Sequence, residues 1–125
     1  MTRRILVVDD DDSILTIVKL LLEFSTAWEV TALNSATAAI AFAEAECPDA
    51  IVLDLMMPEL SGSEVLQVLR SKPDTQNIPI IFFTAKADRT GHQSLKDLGA
   101  VGVLVKPFEP DTIVDQIRAL LHWSD

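Results

Sequence analysis

Asp9, Asp10, Asp54, Thr84 and Lys106 are the residues whose types and places in this chain could do phosphate chemistry. Each closes a short apolar run: Ile5-Leu6-Val7-Val8 before Asp9-Asp10, Ile51-Val52-Leu53 before Asp54, Ile80-Ile81-Phe82-Phe83 before Thr84, and Val103-Leu104-Val105 before Lys106. If the runs are parallel strands of one sheet, their C-terminal ends share an edge and these side chains meet there. Magnesium takes one or two carboxylates plus phosphate oxygens and keeps several waters. Asp10 and Asp54, with a backbone carbonyl just beyond the third strand, could supply such a half-shell. A carboxylate is also a competent nucleophile toward phosphorus. Because both reactants are anions, the attack needs fixed cations, and Lys106 offers one. The Thr84 hydroxyl can donate to a phosphoryl oxygen. Taken singly, each residue has a structural explanation: a helix N-terminus for residues 9–12, a strand end for Asp54, a surface ion pair for Lys106, a helix cap for Thr84. Their shared placement favours the chemical reading.

The segments between these runs must carry the chain back across the sheet, and they have helical periodicity. After the N-cap pair Asp12-Ser13, Ile14, Ile17, Val18, Leu21 and Leu22 fall on one face. Residues 28–33 read as a second, less apolar strand suited to a sheet edge. Ser35 caps a helix with a narrow Ala36, Ala39, Ile40, Ala43 stripe, stopped at Cys47-Pro48. A turn over 57–62 precedes a third helix marked by Val65, Leu66 and Leu69. Residues 88–98 form the weakest helix by periodicity, with Leu95 and Leu98 its only large apolar residues. A fifth strand is expected over 100–105. Glu109-Pro110-Asp111 opens a last helix with Ile113, Ile117, Leu120 and Leu121 on one face. The fold class is α/β: a five-stranded parallel sheet, doubly wound with five helices, in the flavodoxin-like strand order 2-1-3-4-5. That order opens its crevice beside strands 1 and 3, which carry the aspartates.

A chain of 125 residues, 49% hydrophobic, is the size of a single domain over 1–125. Ten basic against 19 acidic residues give a formal charge of -9, which disfavours direct nucleic acid or anionic membrane binding. The lone Cys47 has no internal disulfide partner, and a buried or unreactive thiol is expected. The apolar stretch after the basic N-terminus is too short for a signal peptide, and no run approaches a membrane span, so a soluble cytoplasmic protein is expected. His92 and His122 lack partners at metal-ligand spacing. Asp9-Asp11-Ser13 lacks the turn glycine and closing glutamate of an EF-hand. Trp28 and Trp123 read as packing residues, and Met56-Met57 as loop packing.

The runs and their closing residues, together with Leu55-Met56-Met57-Pro58, Gly62, Phe83-Thr84-Ala85 and Val105-Lys106-Pro107-Phe108, resemble the receiver domain of two-component response regulators, of the chemotaxis-regulator type, over essentially the whole chain. The resemblance implies a signalling domain rather than a turnover enzyme. Asp54 would be the phosphoacceptor, taking its phosphoryl group from a sensor histidine kinase or histidine phosphotransfer protein. Asp9 and Asp10 would be the acidic pair for Mg2+, with Asp10 the direct ligand, and Met56 would lend its backbone carbonyl. Thr84 would be the switch hydroxyl and Lys106 the ion-pairing lysine, with a cis bond to Pro107. A downstream protein would be met through the face formed by the helix over 88–98, the fifth strand and the last helix.

The chain departs from the family pattern at Val103, where many receivers carry a Tyr or Phe that rotates as the switch hydroxyl moves. Switching is therefore expected to run through backbone motion of the loop after the fourth strand. Met56 and Lys86 flank the expected path of hydrolytic water and are expected to set the phosphoryl lifetime. Because no output domain follows the last helix, a stand-alone regulator or phosphorelay intermediate is expected, unless the sequence is a piece of a longer protein. Two rivals remain: a haloacid-dehalogenase-like phosphatase built on Asp9-x-Asp11 with Thr84, and a binding module of the same fold that is never phosphorylated.

Overall fold

The computed structural model describes residues 2–84, 96–106 and 109–124. Five strands, β1 (Arg4–Val8), β2 (Glu29–Leu33), β3 (Ala50–Asp54), β4 (Ile80–Thr84) and β5 (Gly102–Val105), form one parallel sheet in the order β2-β1-β3-β4-β5. Among the described residues there are four helices: α1 (Asp12–Ser25), α2 (Ala36–Glu46), α3 (Gly62–Arg70) and α4 (Ile113–Leu121). The helix expected over 88–98 lies largely outside the described residues.

The central strands β1, β3 and β4 are apolar on both faces because both are covered, and the period of two sorts their side chains into two cores. Ile5, Val7, Ala50, Val52, Ile81, Phe83 and Leu104 face α1 and α4. Leu6, Val8, Ile51, Leu53, Ile80 and Phe82 face α2 and α3. Each fully buried aliphatic side chain, such as Leu66 at 0% exposure, contributes roughly 1.5–3 kcal/mol over its exposed state. Ala36, Ala39 and Ala43 bury the narrow side of α2 as their spacing predicts, and Val65, Leu66 and Leu69 do the same for α3.

Several boundaries and faces differ from the sequence expectation. The α1 cap is Asp11, one residue earlier than the Asp12-Ser13 pair, and its carboxylate accepts from the Ser13 and Ile14 N–H groups. The fully packed α1 positions are Leu15, Val18 and Leu22, whereas Ile17 is 48% exposed. A continuous apolar stretch from Leu20 to Leu22 blurs the stripe, so its centre could not be read to better than one residue. The last helix begins at Ile113, past the Glu109-Pro110-Asp111 opening, and adds Val114 to its buried face. The fifth strand spans four residues, Gly102–Val105, rather than six. Cys47 is exposed, since it ends α2 in a left-handed conformation at φ 45° that turns it off the buried face. Met56 is 74% exposed, so only Met57 packs in the loop. Trp28 is buried and meets Trp123 edge-on at 5.1 Å, as packing residues should.

Candidate functional site

Chain direction and strand parity together build the site. The strands are parallel, so Asp9 just past β1, Asp54 at the end of β3, Thr84 at the end of β4 and Lys106 just past β5 all reach the same edge. Parity then divides them. Asp9 follows Ile5 and Val7, Asp54 follows Ala50 and Val52, and Lys106 follows Gly102 and Leu104, all in the register of the α1/α4 face. Thr84 follows Ile80 and Phe82, in the register of the other face.

The geometry agrees with that division. The Lys106 Nζ lies 2.6 Å from Asp9 Oδ2 and 3.4 Å from Asp54 Oδ1, and it sits 5.2 Å over the Phe83 ring. Asp9 and Asp54 are buried, at 1% and 4% exposure, while Asp10 faces solvent at the rim. Asp9 Oδ1 accepts from the Asp11 N–H at 2.9 Å, and Asp54 Oδ1 accepts from the Met56 N–H at 3.4 Å. Asp9, Asp10 and Asp54 each offer a carboxylate oxygen, and these atoms lie within 4.8 Å of one another. Thr84 is buried beside them, and its carbonyl accepts from the Lys106 N–H at 2.6 Å.

This crowding shows in the titration of the groups. Burial, and then the Asp9 charge, push the Asp54 carboxyl up from 3.8 to about 6, against the opposing pull of Lys106 and the Met56 N–H. Burial draws the Lys106 ammonium the other way, yet its hydrogen bond to Asp9 and the charges of Asp54 and Asp9 outweigh it and leave its pKa raised. Asp9 and Asp54 share the Lys106 ammonium and Asp10 lies beside them, so that among the described residues negative charge is in excess in a partly dry place. The donor set consists of hard oxygens alone, matching magnesium or calcium rather than a thiophilic metal.

Gly62 holds the neighbouring loop close. A Cβ there would lie 2.6 Å from the Asp54 carbonyl oxygen, 2.8 Å from Phe82 Cε1 and 2.9 Å from Leu55 Cα, so only glycine lets α3 begin against the end of β3. Ser61 and Glu64 then start α3 with a reciprocal capping box.

The site positions read from the sequence that fall among the described residues are all at this edge. Asp9, Asp10, Asp54 and Lys106 are brought together, Met56 adjoins Asp54, and Thr84 stands one residue past the pairing partner of Asp54. Lys86, Pro107 and Phe108 lie outside the described residues. The phosphatase reading gains no support, because Asp11 is committed to capping α1. Sequence reasoning missed the side-chain ties among the loops. Asn34 Nδ2 donates to Asp12 Oδ1 at 3.0 Å, and the Glu59 carboxylate accepts from the Ser35 and Thr37 hydroxyls at 2.8 and 2.9 Å. The hydroxyl-acid-hydroxyl composition was visible, but nothing local showed that Glu59 returns to α2.

Comparison with known proteins gives a consistent picture. The response regulator receiver domain family matches residues 5–118. The alkaline phosphatase synthesis transcriptional regulatory protein PhoP of Bacillus subtilis is 38% identical over 125 residues, which is 100% of this chain and 51% of that protein. The DNA-binding response regulator MtrA of Mycolicibacterium paratuberculosis is 34% identical over 125 residues, covering 100% of this chain and 54% of its own length. This chain thus spans about half the length of the curated relatives it matches. The chemotaxis response regulator CheY4 of Vibrio cholerae superposes with a TM-score of 0.89 at 30% identity, covering 96% of this chain and 99% of that one.

Proposed function

Because the chain belongs to the response regulator receiver domains of two-component signalling, we propose that residues 1–125 act as one receiver domain with Asp54 as its phosphoacceptor. The observation that carries this is the buried Asp54 carboxylate, 3.4 Å from the Lys106 ammonium and within 4.8 Å of carboxylate oxygens of Asp9 and Asp10. The phosphoryl donor is a phosphohistidine on a sensor kinase or phosphotransfer protein. Its P–N bond breaks as an Asp54 oxygen bonds to phosphorus, and the leaving imidazole keeps the electron pair and takes a proton from solvent.

The chain's own residues prepare that transfer. Lys106, held by Asp9, keeps a positive charge beside the attacking oxygen and draws Asp54 toward its ionised, nucleophilic form. Asp9, Asp10, Asp54 and the Met56 carbonyl would hold Mg2+, whose charge would neutralise the phosphoryl oxygens. The excess of carboxylates over ammonium among the described residues supports that assignment. Thr84 donates its hydroxyl to the phosphoryl group and so couples Asp54 to the loop after β4, which carries the switch without an aromatic at Val103. A downstream protein docks on the face that includes β5, where Val101 and Val105 are exposed at 39% and 37%. No helix among the described residues is long and apolar enough to cross a membrane. We place the domain in the cytoplasm, as a signalling module rather than a turnover enzyme.

The test is intact mass after incubation with acetyl phosphate and Mg2+. One Mg2+-dependent phosphoryl adduct is expected, absent from Asp54→Asn. If the protein takes no adduct and beryllofluoride leaves its amide spectrum unchanged, the phosphoacceptor reading is wrong and the fold serves as a binding module.

A further inference from the structure

The loop between β3 and α3 carries Met56, and its two ends are well fixed. The Leu55 N–H donates to the Phe83 carbonyl at 3.2 Å, the Leu55 carbonyl accepts from the Gly62 N–H at 2.8 Å, and Ser61 is locked in the α3 capping box. Between those ends, the polar anchor of residues 57–60 among the described residues is the Glu59 side chain. Its Oε1 accepts from Ser35 Oγ at 2.8 Å and its Oε2 from Thr37 Oγ1 at 2.9 Å. Ser35 at the same time caps α2 by accepting from the Ala38 N–H, and its hydroxyl lies 3.0 Å from that of Thr37. A carboxylate placed at the N-terminus of another helix also meets the positive end of that helix's dipole. The preceding residue, Asn34, is tied to Asp12 at the start of α1, directly after the acidic pair. Three loops of the site edge are thereby joined through the first turn of α2.

We propose that Glu59 is a positioning residue for the cation site: by clamping the β3–α3 loop to the Ser35 and Thr37 hydroxyls at the start of α2, it holds the Met56 carbonyl at the distance the Asp9, Asp10 and Asp54 carboxylates require. The inference rests on the cation-binding role proposed above and extends it to a residue outside the acidic cluster. The clamp matters because the span 56–60 is otherwise held by the apolar packing of the partly buried Met57 and Leu60, which fixes no polar group, and ordering its backbone further would be charged against cation binding. An ion with near-octahedral demands tolerates little displacement of a ligand.

Two variants separate position from charge. Glu59→Ala removes the clamp and one negative charge, whereas Thr37→Val removes half of the clamp and leaves the charge and shape alone. The Mg2+ dissociation constant is measured by titration of amide shifts in the parent, both single variants and the double variant, with urea unfolding in the absence of metal as the stability control. Expected are a five- to tenfold weaker Mg2+ affinity in Glu59→Ala, two- to threefold in Thr37→Val, and a double variant no worse than Glu59→Ala. In metal-free protein, the amides of residues 56–60 should shift in both single variants. An unchanged dissociation constant in Thr37→Val alongside a weaker one in Glu59→Ala would reduce the effect to charge and overturn the clamp. Equal affinities in all four proteins would overturn the inference while leaving the cation site intact. A parent that binds no Mg2+ would instead remove the reading on which the inference stands.

Discussion

Replacing Asp54 by Asn should stabilise the metal-free protein, although it removes the residue on which the proposed chemistry depends. The Asp54 carboxyl is raised from 3.8 to about 6, by burial first and by Asp9 second. Between those values the native state binds a proton that the unfolded chain has released, so stability falls as pH rises through the window. A difference of roughly 2 units at about 1.4 kcal/mol per unit sets a ceiling near 3 kcal/mol on the penalty above pH 6. Asn is close in shape to the neutral acid and carries no charge to bury. The Lys106 contribution is already counted, because it opposes the shift. Urea unfolding should therefore show Asp54→Asn about 1–3 kcal/mol more stable at pH 7.5 in EDTA, with the advantage shrinking to near zero at pH 4. Millimolar Mg2+ should stabilise the parent and narrow the gap. An advantage of equal size at pH 4 and pH 7.5 would show that packing, and not the buried charge, sets it. No advantage at either pH would refute the electrostatic account of the site.

Lys106→Ala should cost about 3–5 kcal/mol at pH 7.5, because it leaves the fully buried Asp9 without its cation; adding Asp9→Asn should recover most of that loss, and a strictly additive double variant would contradict the pairing. The raised Lys106 pKa makes its contribution persist at neutral pH and fade only as pH climbs past the ordinary lysine value of 10.5, so alkaline unfolding should begin later in the parent than in Lys106→Ala. Gly62→Ala should destabilise by roughly 1–3 kcal/mol, since two of the atoms its Cβ would strike are backbone; thermal unfolding checks it, and the Asp54 and Leu55 amides should shift. Met56 stands exposed beside Asp54, and Met56→Ala should shorten the phosphoryl lifetime severalfold by opening the path of attacking water; equal decay in the two proteins, followed by intact mass, would dismiss that role.

The fold and the core of the site were legible because the same pattern encodes both. A strand buried on both faces is a continuous apolar run, and the first polar residue after it marks the sheet edge, so the ends at Asp9, Asp54, Thr84 and Lys106 announced themselves. Helix faces were harder wherever apolar residues outnumber the buried positions, as in α1, where Ile17 and Leu20 are 48% and 61% exposed and Leu15 takes the core. The loop ties were illegible for a different reason: Glu59 reaches back 24 residues to Ser35, and no local rule connects an acid in a turn with a cap that far away.

The parity of the strand ends was also present in the spacing, and it carries a mechanistic consequence. Three of the four ends, Asp9, Asp54 and Lys106, share the register of the α1/α4 face, whereas Thr84 has the opposite parity. The ionic cluster can therefore form before any phosphate arrives, as the 2.6 and 3.4 Å contacts of Lys106 show. Thr84 stands in the other register, and its backbone carbonyl accepts from the Lys106 N–H. The Thr84 hydroxyl, on the neighbouring strand in the other register, is placed to answer a new group on Asp54. Removing that hydroxyl should leave the Lys106 contacts with Asp9 and Asp54, and with them Mg2+ affinity, in place but uncouple phosphorylation from the rest of the domain. Thr84→Ala that takes up phosphate normally yet shows amide shifts confined to the neighbours of Asp54 would bear this out. A loss of Mg2+ binding in that variant would place Thr84 in the ionic cluster after all.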